Sequence, residues 1–386
     1  MRILLSCQQS PYRHAIPAYD FWRRYFAPGI EEAGHEVVEV PGLDWAEGLT
    51  YAAGPRLLAW QARCWETVHA FVDRQPVDLF LGYLFPQQVD TAAVRELQRK
   101  GIPCVNFFCD NLREFRQVPA AFAPFALHWV PEFEALSLYR AAGLPHIHAP
   151  MACWVPPNLR SVPAEGAEPP TFIGSVDSLR VDLLGRALRS DANFIVRGAG
   201  WKTDTDEPPR PAKPWRVGEL LTNQRDTLRR SGVVAVLRKL EDRLRPLPQG
   251  SMPPSNIGDA PRDSDAYFRL IRQAQVTIGV NRVPTPRASN RRPLAYSRLR
   301  DIEAPMLGAC YLSEWTEGLA RLYELGVEIE AYRTAEELAD NLRELSKSPA
   351  RRAELRVRGQ RRALREHTIE RSLAQITVRL GLTSSA

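Results

Sequence analysis

Within the segment Tyr296-Ser-Arg298-Leu-Arg300-Asp-Ile-Glu303-Ala-Pro-Met-Leu-Gly308-Ala, two arginines and a glutamate fall within two turns of a helix that Gly308 would end. Cations and helix N-termini neutralise a diphosphate, and a carboxylate can accept both hydroxyl protons of a ribose diol. The segment supplies both kinds of group. The same spacing also suits an ordinary helix salt bridge between Arg300 and Glu303, so these residues alone leave both readings open.

Three further stretches carry chemistry-bearing residues. Thr171-Phe-Ile-Gly174-Ser175-Val-Asp-Ser178 reads as strand, turn and helix. There a glycine lets a phosphate approach the backbone, Ser175 and the first helical amides can bind its oxygens, and Arg180 adds charge. A plain tight connection reads the same way. Arg197-Gly198-Ala-Gly200-Trp201 ends the next strand and either shapes the same wall or simply turns the chain. Phe107-Phe-Cys-Asp110-Asn111 closes an apolar run with a carboxylate, which makes Asp110 the candidate general base toward an acceptor hydroxyl, with an Asx turn as the alternative. His14, which follows Ser10 and Tyr12 after the first strand, is the competing base, or a structural histidine. Asp204-Thr-Asp206 spells the D-x-D of metal-dependent transferases, but in a polar, proline-rich loop. His146-x-His148 lacks companion ligands, and no metal is expected.

These residues need a scaffold. Short apolar runs alternate with helical patterns in both halves, the signature of parallel sheets covered by helices. In the first half the expected strands are Arg2 to Ser6, Glu36 to Val40, Val77 to Leu84, Pro103 to Cys109 and Leu127 to Val130. Helices are expected from Tyr19 to Ala33, Pro55 to Asp73, Thr91 to Lys100 and Glu132 to Ala142. After a Pro-, Ser- and Gly-rich linker a second series runs through Pro170 to Val176, a helix from Ser178 to Arg189, then Asn193 to Gly198, Gln275 to Asn281, Cys310 to Ser313 and Val327 to Ala331. The fold class is α/β, with two Rossmann-like, doubly wound domains whose strand C-termini face a cleft. Residues 1–155 form the acceptor-side domain, 156–169 the linker, 170–369 the donor-binding domain with an insertion at about 202–263, and 370–386 a C-terminal helix. The insertion contains one basic helical stretch, Asp226 to Leu244.

Length and composition agree with this division, since 386 residues exceed what one core serves, and 44% hydrophobic with 25% charged residues is ordinary for globular chains. The six cysteines are scattered without a C-x-x-C pair, which suits buried thiols in a reducing compartment. No run is apolar enough for a signal peptide or a membrane-spanning helix, so a cytoplasmic location is expected. Part of the net charge of +6 sits between Arg351 and Arg365, which reads as a solvated helix face, with peripheral docking on an anionic membrane as the competing reading. No basic-aromatic platform accompanies it, and nucleic acid is not an expected partner.

Arg300-x-x-Glu303, the glycine turn into Cys310-Tyr-Leu-Ser313, Leu325-Gly326-Val-Glu328-Ile, Tyr332-Arg-Thr-Ala-Glu336-Glu337-Leu338, Pro349-Ala-Arg-Arg, Gly359 and Glu366-His367-Thr368-Ile-Glu-Arg371 form one ordered series. From about Phe172 to Gln375 this series resembles the C-terminal domain of CgeB/YkvP-like glycosyltransferases, which are similar to the wider GT-B class. Asp78 to Leu84, Phe108-Cys-Asp110 and Tyr139-x-Ala-Ala-Gly143 are compatible with the same family. The resemblance implies a GT-B fold and transfer of a sugar from a nucleoside diphosphate donor to an acceptor hydroxyl, without a cofactor, since the nucleotide sugar is a substrate. The acceptor is not specified. It implies that Arg300 and Glu303 hold the donor nucleotide, within an R-x-F-E pattern whose third position is Ile302 here. Gly174, Ser175, Arg180 and Arg298 complete the expected donor set, and Asp110 and His14 the acceptor side. Many retaining GT-B enzymes carry a second glutamate eight positions upstream, where this chain has Ala295. The alternative is a non-catalytic nucleotide-sugar-binding or partner-binding protein on the same fold. An NAD-dependent oxidoreductase is disfavoured by the absence of G-x-G-x-x-G after the first strand.

Overall fold

The computed structural model describes residues 1–14, 21–51, 53–163, 166, 168–202, 252–285 and 287–382. The Asp204-x-Asp206 motif, the stretch Asp226 to Leu244 and the beginning of the helix expected from Tyr19 lie outside the described residues. The chain divides into two compact units. The first comprises Met1–Pro157, Ser297–Glu303 and Arg362–Ala386, and the second Asn158–Tyr296 and Ala304–Arg361. The segment bearing Arg298, Arg300 and Glu303, read from sequence with the C-terminal half, is therefore part of the first unit.

The first unit is built on β1 (Arg2–Ser6), β2 (Glu36–Val38), β3 (Leu79–Gly82), β4 (Cys104–Phe107), β5 (Leu127–Val130) and β6 (His146–His148). They form one sheet in the order β2-β1-β3-β4-β5-β6, every pair parallel. A parallel sheet is covered on both faces, so the middles of its central strands read as near-continuous apolar runs. Accordingly Ile3 to Leu5 and Leu79 to Leu81 are all buried. Helices α1 (Arg23–Glu32), α2 (Pro55–Val72), α3 (Thr91–Arg99), α4 (Asn111–Glu114) and α5 (Leu136–Ala141) alternate with these strands. The start of α3 follows from Asp90, whose carboxylate accepts the amides of Ala92 and Ala93 at 2.8 and 3.1 Å.

The second unit contains β7 (Thr171–Ile173), β8 (Ile195–Arg197), β9 (Ile257–Gly258), β10 (Thr277–Gly279), a separate antiparallel pair β11 (Arg282–Val283) and β12 (Leu294–Ala295), then β13 (Tyr311–Glu314) and β14 (Glu330–Tyr332). The main sheet runs β14-β13-β10-β7-β8-β9, again parallel throughout. Strand β7 is thus flanked by the strands that follow it in both directions, and the order reverses between β7 and β10, where open α/β sheets place ligands at the strand C-termini. The remaining helices are α6 (Ser178–Arg189), α7 (Ser264–Gln273), α8 (Arg300–Met306), α9 (Glu317–Leu322), α10 (Ala335–Lys347), α11 (Pro349–Glu366) and α12 (Ile369–Leu380). Asp177, Asp263, Thr316, Thr334 and Thr368 each accept a first-turn amide and so fix where α6, α7, α9, α10 and α12 begin. Phe172, Leu183, Ile278, Leu312 and Leu338 meet in the core of this unit.

Strand β9 falls inside the stretch read from sequence as an insertion. Two residues carry no periodicity, and only their pairing with β8 makes them a strand. Helix α11 differs from the expectation of a solvated basic face, because Arg352 and Arg356 are buried. Arg356 donates to the carbonyls of Gly308 and Ala274 at 2.9 and 2.6 Å, and Arg352 to that of Ser346 at 3.0 Å, so part of the basic stripe binds backbone. Helix α12 returns to the first unit and packs on α1. A Cβ at Gly29 would come within 2.4 Å of Ile369 Cδ1, so a larger residue would have to push the Ile369 side chain aside. Among the described residues no helix is long and apolar enough to cross a membrane, and all six cysteines are buried thiols.

Candidate active site

At the switch point of the second unit, Gly174 and Ser175 follow β7 and are stitched to the turn after β8. The Gly174 amide donates to the Arg197 carbonyl at 2.8 Å, the Val176 amide to Ala199 at 2.9 Å, and the Trp201 indole to the Gly174 carbonyl at 2.6 Å. Gly198 makes this possible. Its φ is 142°, and a Cβ there would meet the Gly174 carbonyl oxygen at 2.2 Å. Arg180 closes the turn from α6. One guanidinium nitrogen donates to the carbonyl and hydroxyl of Ser175 at 2.7 and 3.2 Å, another nitrogen pairs with Asp177 at 3.2 Å, and the group lies over the Phe172 ring. Gly174, Ser175 and Arg180 are therefore one locally preorganised unit.

Beside it, the C-terminal ends of β10 and β13 carry a constellation not picked out from sequence. Glu314 accepts the amides of Asn281 and Arg282, each at 3.0 Å, and pairs with the Arg282 guanidinium through Nε and Nη2 at 2.9 and 2.5 Å. Both side chains are buried. Burial works against the Arg282 charge, but Glu314 overcomes it and raises the arginine's pKa.

In the first unit, Arg298 and Arg300 are half-buried and Glu303 is buried. Asp301 shapes the segment by accepting the Ser297 hydroxyl at 2.8 Å and the Arg298 amide at 3.1 Å. The Glu303 carboxylate accepts the Tyr25 hydroxyl of α1 at 2.5 Å. A ribose diol held by Glu303 would have to exchange or share that bond.

Asp110 lies at the end of β4 with φ 146° and ψ 26°, a conformation that a residue with a Cβ rarely adopts. It stands at the N-cap position of α4 without a side-chain cap hydrogen bond, which argues against the Asx-turn reading. Instead Glu132, at the end of the neighbouring strand β5, accepts the Leu112 amide at 3.1 Å. Burial and Asp110 raise the carboxyl pKa of Glu132 well above the usual range. Cys109 bonds the Tyr83 hydroxyl at 3.7 Å; burial and Asp110 push its thiol pKa up, and the nearby Arg298 opposes that push. Asp110 and Arg298, assigned from sequence to opposite sides of the chemistry, thus both act on Cys109. His14 stands apart from this turn in its bonding, with its Nε2 2.7 Å from Asp44 Oδ2. Asp44 also accepts the Glu47 amide at 2.9 Å, so the imidazole is held by a fixed carboxylate.

Sequence reasoning missed Glu132, Glu314, Arg282, Tyr25 and Asp44. A looser form of the rule that singled out Asp110, a carboxylate within two residues of an apolar run, would also have reached Glu314, beyond Leu312 and Ser313, and Glu132, beyond Val130 and Pro131. Among the described residues, no three His, Cys, Asp or Glu side chains gather as a metal site would require.

Residues 254–377 match a family model described as glycosyl transferase-like. No curated protein matches the chain significantly. Sucrose-phosphate synthase from Thermosynechococcus elongatus superposes with a TM-score of 0.60 at 13% identity, over 98% of both chains. A glycosyltransferase from Rickettsia africae gives 0.56 at 12% identity over 99% of both chains. HepE from Anabaena, in complex with UDP-glucose, gives 0.55 at 12% identity over 98% of this chain and 99% of its own. The chain accordingly has the GT-B fold shared by these structures, two α/β units each on a parallel six-stranded sheet, with a glycosyl transferase-like stretch spanning residues 254–377.

Proposed function

We propose that this protein transfers a sugar from a nucleoside diphosphate donor to an acceptor hydroxyl. The observation that carries the reading is the match of residues 254–377 to the glycosyl transferase-like family, a stretch that contains Arg298, Arg300 and Glu303. The likeness to HepE with bound UDP-glucose makes that compound the first donor to test. Within this reading the acceptor O–H bond breaks as its proton passes to Asp110, the oxygen bonds to the anomeric carbon, and the bond from that carbon to the diphosphate oxygen breaks with its electron pair. Within the first unit Arg298 and Arg300 neutralise the departing diphosphate and Glu303 anchors the ribose; within the second, Arg180 and the amides of the Gly174-Ser175 turn are the groups suited to phosphate oxygens. Arginines and amides, not a metal, supply the charge, so turnover should persist in excess EDTA. His14, held by Asp44, is the competing base. We assign the protein to the CgeB-like branch and to the cytoplasm, which the six buried thiols support.

A donor panel of nucleotide sugars, assayed for release of nucleoside diphosphate with and without sugar alcohol and polysaccharide acceptors, tests the proposal. Turnover supports it. Binding without turnover supports a non-catalytic nucleotide-sugar-binding protein, the reading that Ala295, in place of an upstream glutamate, favours.

A further inference from the structure

Asp110 and Glu132 end adjacent parallel strands, β4 and β5, so the sheet itself delivers two carboxyl groups to one edge. They are not equivalent. Asp110 is half-buried and holds the strained backbone at the entrance to α4, whereas Glu132 is fully buried. Glu132 takes over the capping task that an N-cap aspartate normally performs: its Oε2 accepts the Leu112 amide at 3.1 Å, and the Asn111 amide points to the same carboxyl. Its other oxygen, Oε1, is buried with no hydrogen-bond partner. An ionised carboxylate in that position would leave a charged oxygen wholly desolvated, which a protein avoids by keeping the group protonated.

We propose that Glu132 works as a neutral carboxylic acid beside Asp110, a positioning residue that holds the strained turn and leaves the single negative charge of the pair on the base. This rests on the glycosyl-transfer reading and adds to it a second carboxyl with a distinct task. If both groups ionised, the second charge would drive a proton onto one of them, and Asp110 could no longer serve as the proton acceptor. The groups facing Glu132 are Asp110 and Cys109 from the end of β4, Tyr139 from α5 and Glu134 from its own turn, with Arg298 beside Cys109. The two carboxylates both favour the protonated acid. Asn111 is fixed independently, since it accepts the Tyr139 hydroxyl at 2.8 Å and donates to the Phe108 carbonyl at 2.7 Å, so the turn that Glu132 caps is rigid on its far side as well.

The experiment is infrared spectroscopy of the full chain, with carboxyl bands assigned by comparison of wild type, Glu132→Gln and Asp110→Asn, combined with turnover of Glu132→Gln and Glu132→Ala. A protonated carboxyl band at neutral pH that disappears in Glu132→Gln, and that titrates at lower pH in Asp110→Asn, is expected. Glutamine keeps a neutral acceptor for the amides, so Glu132→Gln should turn over within about threefold of wild type, whereas Glu132→Ala, with the turn released, should lose about 10- to 100-fold. Absence of the band, a band insensitive to Asp110→Asn, or equal losses in the two Glu132 variants overturns the proposal. If Glu132→Ala does not fold, the glutamine variant and the band decide. A wild type that shows the band but turns over no donor refutes the functional reading and leaves the placement of the proton standing.

Discussion

Lowering the pH from 7 to 5 should destabilise the wild-type protein relative to a variant that lacks one buried histidine. His128 on β5 is fully buried among Phe122, Phe125 and Tyr139, and its burial outweighs the one backbone contact, from Phe122, that favours the charged ring. Burial disfavours its charged form and lowers its pKa from 6.5 to about 3. The unfolded chain therefore takes up a proton first. The neutral imidazole contributes full stability above pH 6.5 and loses it as the pH falls toward 3. With those two values the difference between pH 7 and pH 5 is about 2 kcal/mol, from 1.36 kcal/mol per pKa unit. Glu132 acts with the opposite sign, because a carboxyl whose folded pKa is raised stabilises at low pH and loses that contribution as the pH rises. The wild-type slope alone is therefore a poor reporter. The informative quantity is the stability of His128→Leu minus that of wild type, measured by urea unfolding with tryptophan fluorescence at both pH values. It should move by about 2 kcal/mol in favour of the variant on going to pH 5. A difference that is the same at both values would refute the assignment of a buried, neutral His128.

Glu314→Ala should cost about 3 to 5 kcal/mol, because it strands the buried Arg282 guanidinium, and a melting temperature close to wild type would show that solvent reaches the pair. Glu303→Ala should weaken nucleotide-sugar binding by about 1 to 3 kcal/mol in calorimetry, and unchanged affinity would remove Glu303 from the donor set. Asp110→Asn should lower turnover by about 10²- to 10⁴-fold with donor affinity nearly constant. The same assay on His14→Ala decides between the two bases: a crippled His14 variant beside a healthy Asp110 variant would transfer the role.

What could be read from the sequence follows from how locally each feature is encoded. Leu79 to Leu81 announces a strand because strands of a covered parallel sheet read as near-continuous apolar runs, and the helix from Ser178 to Arg189 is bounded by its own cap, Asp177. Strand β9 is invisible by comparison, since Ile257 and Gly258 become a strand only when β8 lies beside them. Glu132 escaped notice because it was absorbed into the expected helix from Glu132 to Ala142, whereas the α-helix begins at Leu136. Glu314 fell one residue past the expected end of its strand. The bond between Tyr25 and Glu303 joins residues 278 apart in the chain and leaves no trace in either neighbourhood. The arginines of α11 illustrate a further limit, because a basic helix on paper does not reveal that Arg356 faces the carbonyls of Ala274 and Gly308 and not water.

The return of α12 to α1 has a consequence for the order in which the molecule can be completed. The first unit includes residues 362–386, so during synthesis the opening 157 residues emerge long before the segment that finishes their fold. Until Ile369 arrives over Gly29, the buried stripe of α1 at Tyr25, Phe26 and Ile30 lacks its last cover, while most of the second unit is already in hand. The start of the chain is thus the later unit to mature, and a nascent chain halted before residue 362 would be exposed to chaperones and proteases at its beginning, not at its end.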